Sequence, residues 1–411
     1  MKNFLAVCLI SCATLLAQQT PAPTELAASP FVIKQTWIIG GSGNWDYLTL
    51  DPQARQLFIA HGPAVQVVDI GTGTVAGQVT GFRDAHSIAL DDTGEFGFVS
   101  DGPANQVKVF DRRSFKVVAV IPTGPSPRAV VFEPQTKLVF AVSAAALPLR
   151  PGDPPAAANQ PIKSSITVID AEKRAVIGNI LLPGKLGFAA TGGAGQIYIN
   201  IVDRNEIAWI DATAIDARLH GGPSQAEIAR ADAGQPVPPR LPGAQVTLDW
   251  SAVPHSTQSS GDRVRFFALG PECRDLRGLA VDSSHMRLFA ACNNLTMDVL
   301  NAATGELVKS LPTGAGVDAI GYDPDHGLIY TANGGAMGSL TVIRQDVTDT
   351  YAVIQNLPTR QRARTLAVNP VNGEVYLVTD LLAMPLDKPG GIGTLRTPPA
   401  SGSFQVLVIA H

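Results

Sequence analysis

The stretch Ala319-Ile320-Gly321-Tyr322-Asp323-Pro324-Asp325-His326-Gly327-Leu328-Ile329-Tyr330-Thr331-Ala332-Asn333-Gly334 holds two apolar runs separated by a turn sequence. Each run has the length and patterning of a β-strand. Asp, Pro and Gly between them are residues that close tight turns. The arrangement recurs along the chain. First runs are Tyr47-Leu48-Thr49-Leu50-Asp51, Ser87-Ile88-Ala89-Leu90-Asp91, Ala129-Val130-Val131-Phe132-Glu133, Gly278-Leu279-Ala280-Val281-Asp282 and Thr365-Leu366-Ala367-Val368-Asn369. Phe188-Ala189-Ala190-Thr191-Gly192 is a degenerate copy, which brings the count to seven. Third runs fall at residues 65–69, 107–111, 166–170, 207–211, 297–301, 340–344 and 404–409. Fourth runs close on Ile121-Pro122-Thr123-Gly124, Leu182-Pro183-Gly184 and Leu311-Pro312-Thr313-Gly314.

The spacing sets the architecture. Positions 46, 86 and 128 lie 40 and 42 residues apart, and 277 and 318 lie 41 apart. Four short strands in about 40 residues mark a propeller blade. The expected fold is therefore all-β, a seven-bladed β-propeller with four antiparallel strands per blade over residues 31–411. Intervals of 59 residues (128 to 187) and 90 residues (187 to 277) place insertions in blades three and four. The seventh repeat lacks a fourth strand, and a surplus strand at residues 31–39 precedes the first repeat. It is expected to complete blade seven and close the ring, which removes exposed sheet edges.

Composition agrees. The 411 residues include 39 Gly and 31 Pro, about one in six, which is turn-rich but below the level of disorder. Hydrophobic residues make up 45% and charged residues 16%, which suits a large buried core. Lys and Arg number 31 against 35 Asp and Glu, so no bulk basic field exists to hold nucleic acid.

Residues 1–17 have the pattern of a secretory signal peptide. Lys2 precedes an apolar run at residues 4–16, and cleavage is expected after Ala17. Residues 18–30 read as a flexible leader. A periplasmic or secreted protein follows, with lipid anchoring through Cys12 of Leu9-Ile10-Ser11-Cys12 as the alternative. No other stretch is apolar enough to span a bilayer. Outside residues 1–17 the cysteines are Cys273 and Cys292. An even pair in an oxidising compartment is expected to form a disulfide, with two buried thiols as the alternative.

The second runs, such as Leu328-Ile329-Tyr330-Thr331-Ala332-Asn333-Gly334 and Leu57-Phe58-Ile59-Ala60, resemble the segment that names the YVTN-type β-propeller repeat. The Thr72-Gly73 and Thr304-Gly305 turns also fit. That family implies a cell-envelope protein, and relatives of the fold include lactonases and subunits of quinoprotein dehydrogenases. It also implies that first strands line a central channel, with their starts and the second-to-third loops on one face. On that face the resemblance collects Asp46, His86, Arg128, Gly187 with Lys185 nearby, Arg277, Asp318 and Arg364, and from the loops His61, Asp101, Asn105, Ser143, Asp203, Asn293, Asn333 and Asp380.

Convergent charges at a concave mouth are the expected ligand-binding site, for a protein or a small molecule. His61, His86, Asp46 and Asp101 are the sharpest subset. They are candidates for a divalent metal site, for a His–Asp general base, or for plain hydrogen bonding. Arg128, Arg277 and Arg364 are candidates for a carboxylate or phosphate, or for salt bridges between blades. Trp45 beside the mouth is expected to pack between blades, with stacking on a ligand as the alternative. Insertions at 144–163 and 381–403 fall on the candidate face, and 212–262 on the opposite one, with a short helix at 212–219 and a loop beyond. Haem, nucleotide and flavin motifs are absent. Gly71-Thr72-Gly73-Thr74-Val75-Ala76 lies in a β-turn, not before a helix. The expected function is an exported binding scaffold, a monomer acting through its channel face, with a lactonase-like hydrolase or a redox-enzyme accessory subunit as alternatives.

Overall fold

The structure is a computed structural model and describes residues 30–41, 43–144, 162–221, 246–252, 263–346, 349–381 and 402–411. Residues 1–29, with the expected signal segment and Cys12, lie outside the described residues, as do most of the insertions at 144–163 and 381–403 and much of 212–262.

Seven sheets form the ring. First strands are Trp45–Asp51, Ala85–Leu90, Pro127–Glu133, Leu186–Thr191, Leu276–Asp282, Val317–Asp323 and Thr365–Val368. Each pairs antiparallel with the strand that follows it. Blade seven takes its outer strand from Val32–Ile38, which pairs with Gln405–Ala410. The surplus strand does close the ring.

The apolar runs are continuous because the inner strands are packed on both faces. The core is seven layers, each between two neighbouring blades. Phe58, Val67 and Phe82 with Phe110 fill the layer between blades one and two. Tyr330, Val342 and Leu377 with Phe31 fill the layer between blades six and seven. Ring contacts are reinforced by polar links. Arg112 of blade two is 7% exposed and joins Asp51 of blade one to Asp91 of its own blade.

Blade four completes itself late. Its outer strand, Val264–Ala268, follows the long insertion and pairs with Glu206–Asp211. The insertion opens with the helix Ala212–Leu219, whose N-cap Asp211 accepts a hydrogen bond from the Ala214 amide at 2.9 Å. The expectation of loop beyond this helix needs correction at one segment. Val246–Asp249 is a strand that adds parallel to Ala175–Pro183, giving blade three a fifth strand. Its alternating Val246 and Leu248 are half-buried, and the open edge of blade three supplies the missing backbone partners. Cys273 and Cys292 form a disulfide at the start of blade five, with Cα atoms 5.4 Å apart.

Candidate functional site

The first strands deliver their leading side chains to the channel mouth by a repeated irregularity. In six blades the register with the second strand shifts within the first residues, between Trp45 and Leu48, Ala85 and Ile88, Pro127 and Ala129, Leu186 and Ala189, Leu276 and Gly278, and Val317 and Ala319. Each shift spans the ring position: Asp46, His86, Arg128, Gly187, Arg277 or Asp318. A bulge re-aims a side chain out of the ladder. Gly187 has none to offer, and a Cβ there would meet Val202 at 2.9 Å. Lys185 takes its place at the mouth.

These residues, with Arg364 of blade seven, line a chamber of about 410 Å³. Its floor is Tyr47 of blade one and Phe188 of blade four, with ring centroids 4.8 Å apart at 39°. The two aromatics also border a second cavity of about 370 Å³ deeper in the channel, walled by Leu48, Ile88, Val130 and Ile320.

The chamber is electrostatically divided. On one side the charges pair. His86 Nε2 lies 2.9 Å from Asp46 Oδ2, and Arg364 Nε lies 3.0 Å from Asp318 Oδ2. On the other side Arg128, Lys185 and Arg277 are exposed. Arg128 Nη1 also lies 3.0 Å from His86 Nε2, and Arg277 Nη2 lies 2.8 Å from Asp275 Oδ2. Four permanent cations thus face two carboxylates across the chamber lining. Burial pushes the Asp318 carboxyl above the usual carboxylate range, with Arg364 opposing and Asp46 adding to the rise. Burial, then Asp318 and Asp46, hold the Tyr47 phenol well above its ordinary value.

His61 and Asp101 do not line this chamber. His61 is 4% exposed, shares a 2.7 Å hydrogen bond with Gln66 and packs on Phe404 at 4.0 Å between centroids. The chain at Gly41 passes over it, so closely that a Cβ there would meet the imidazole at 2.8 Å. Asp101 is fully buried, accepts from the Arg83 and Asp84 amides and pairs with Lys108 at 3.2 Å. The four-residue corner is therefore reduced to Asp46 and His86. Among the described residues no cluster of three or more His, Cys, Asp or Glu is placed to hold a metal.

The other loop positions tie loops rather than face the chamber. Asp203 accepts from the Lys185 amide at 2.6 Å, Asn105 from the Ser126 amide at 2.8 Å, and Asp380 pairs with Arg362 at 3.1 Å. Asn293 donates to Asp275, and Asn333 donates to Ser339 and Thr341. Ser143 is buried. Trp45 is 2% exposed, packed on Phe404 beneath Arg362.

The aromatic floor is the feature that the sequence reading missed. A signal for it exists. The residue after each ring position is Ser87, Ala129, Gly278, Ala319 or Thr365 in five blades, and aromatic only at Tyr47 and Phe188.

No protein-family model matches the chain, and no curated protein matches it. Solved propellers are similar in fold. The WD40 repeats of RRP9 superpose with a TM-score of 0.62 at 8% identity, covering 93% of this chain and 98% of that one. The structure of U3-55K gives 0.60 at 7% identity, covering 90% and 97%. A chain of the mitotic checkpoint complex gives 0.58 at 13% identity, covering 90% and 96%. At these identities the likeness is one of fold.

Proposed function

We propose that this chain is an exported β-propeller of the cell envelope that acts as a binding scaffold through the mouth of its channel. The carrying observation is the set of bulged ring residues aimed from successive blades into one chamber floored by Tyr47 and Phe188. The pattern of residues 1–17 and the YVTN-type repeat support export. A structural neighbour drawn from a multi-protein complex accords with a scaffold role.

The geometry of His86 favours binding over hydrolysis. A general base needs one ring nitrogen held by its partner and the other facing substrate. His86 has Nε2 against Asp46 and Arg128, while Nδ1 is sealed from solvent without a hydrogen-bond partner among the described residues. It has no free nitrogen to offer the chamber.

The test is a thermal-shift screen of small molecules and peptides on the mature protein, run beside ester and lactone hydrolysis assays. A ligand at about 100 times its Kd adds roughly 2.7 kcal/mol. The expected hit loses its shift in Asp46→Asn and Arg277→Ala, and no substrate turns over above the buffer rate. Turnover abolished by His86→Asn would replace binding with catalysis. Mass spectrometry of the exported chain should find Gln18 at its start.

A further inference from the structure

We propose that the chamber receives a small free molecule carrying a carboxylate or phosphate on a flat ring, the anion on Arg128, Lys185 and Arg277 and the ring against Tyr47 and Phe188. This deepens the binding reading above and rests on it.

Three observations converge. The first is the unequal use of charge. Blades six, seven, one and two direct theirs at each other, as Asp318–Arg364 and Asp46–His86. Blades three, four and five present Arg128, Lys185 and Arg277 with no carboxylate at their ring positions. Lys185 has no ion pair among the described residues. Guanidinium groups bind planar carboxylates and phosphates through paired N–H donors.

The second is a conflict at His86. Its Nε2 lies within hydrogen-bond distance of an acceptor, Asp46, and of a donor, Arg128. A ring nitrogen carries either a hydrogen or a lone pair, so it satisfies one of the two. An anion that draws Arg128 into the chamber removes the conflict and leaves the Asp46–His86 bond intact. Of the two guanidinium groups on this side, Arg277 is paired with Asp275 and Arg128, among the described residues, with no carboxylate, so Arg128 is the freer to move.

The third is the floor. Tyr47 and Phe188 are half-buried aromatics facing a cavity, at positions where the other blades carry small residues. The Tyr47 hydroxyl has no hydrogen-bond partner among the described residues, and its raised pKa keeps it a donor. At about 410 Å³ the chamber falls in the range of small-molecule sites, about 300–1,000 Å³.

Isothermal titration of the mature protein with inorganic phosphate, phenyl phosphate, benzoate and a hexaglutamate peptide tests this. Phenyl phosphate or benzoate should bind one to one, and the pair decides which anion is preferred. Phenyl phosphate should bind about five- to tenfold more tightly than inorganic phosphate, the scale of an aromatic contact. Phe188→Leu should bring that ratio close to one. Arg128→Ala and Arg277→Ala, both at exposed positions, should each weaken binding at least about tenfold with unchanged thermal midpoints. Lys137→Ala, whose partner Asp92 lies outside the chamber, should change nothing. Binding of hexaglutamate without the small anions would overturn the proposal in favour of a partner's acidic segment. Silence of all four probes, while a neutral ligand still needs Asp46 and Arg277, would overturn the anion and keep the channel-face reading. If no ligand from the screen responds to the ring variants, that reading falls as well.

Discussion

Phe31→Ala should cost about 4 kcal/mol, because Phe31 is the most deeply buried side chain of the closing segment. The closing strand Val32–Ile38 buries little of itself: Val32, Ile33 and Ile38 are 40%, 37% and 74% exposed. Phe31, just ahead of it, is 2% exposed, edge-on to Tyr330 at 5.7 Å and 3.9 Å from the His411 ring. Its backbone is held from both sides. The Phe31 amide donates to Gln355 Oε1 at 2.8 Å, and Gln355 Nε2 donates to the Phe31 carbonyl at 2.8 Å. A buried aromatic ring removes roughly 150–250 Å² from water. At about 25 cal/mol per Å² this is worth roughly 4–6 kcal/mol, of which alanine keeps a minor part. Truncations of buried Phe to Ala cost about 3–5 kcal/mol. Urea unfolding at constant slope is the assay. Ile38→Ala, on the same strand but exposed, is the control and should stay within about 0.5 kcal/mol. A loss under about 1 kcal/mol for Phe31→Ala, or an equal loss for Ile38→Ala, would refute the claim that Phe31 anchors the closure.

Two further predictions concern buried charge. Arg112→Met strands Asp51 and Asp91 without their guanidinium and should cost about 3–5 kcal/mol, with Asp51→Asn in the same background recovering part of it in urea unfolding. Burial pushes the Asp298 carboxyl above its ordinary value, against hydrogen bonds from Ser310 and the Gly270 amide. Between the unfolded value near 3.8 and the raised folded value the native state holds more protons, so stability from this group is present at low pH and lost as pH rises. Asp298→Asn should therefore gain on the natural protein as pH rises above the ordinary carboxylate value, and a constant difference in urea midpoint would contradict this.

The blades were legible because their turns and cores repeat the same chemistry. Asp51, Glu133, Asp282 and Asp323 each cap a turn by accepting its amides, which is why Asp and Glu end the first runs. The starts of those strands were not legible. The readings at Tyr47, Ser87, Ala129, Phe188, Gly278 and Ala319 each begin two residues inside the observed strand. The bulge lies across those two residues and breaks the alternation that marks a strand. Blade four was the hardest to register because its third and fourth strands are separated by the insertion, so local spacing carried no signal for Val264–Ala268.

The same bulge explains which site residues could be read. A ring position is set by one local device, repeated in six blades, so Asp46, His86, Arg128, Arg277 and Asp318 follow from counting along each repeat. The ends of the second strands obey no such device. His61 and Asp101 occupy equivalent places, yet one is sealed under Gly41 and Phe404 and the other is taken by two amides and Lys108. Their fates depend on the neighbouring loop and blade, which spacing along the chain does not encode. Tyr47 and Phe188 are the converse case. They stand three blades apart in sequence, and only the closure of the ring brings them within 4.8 Å. The meeting of two aromatics across a channel is a property of the circle, and it is what turns a polar mouth into a chamber with a floor.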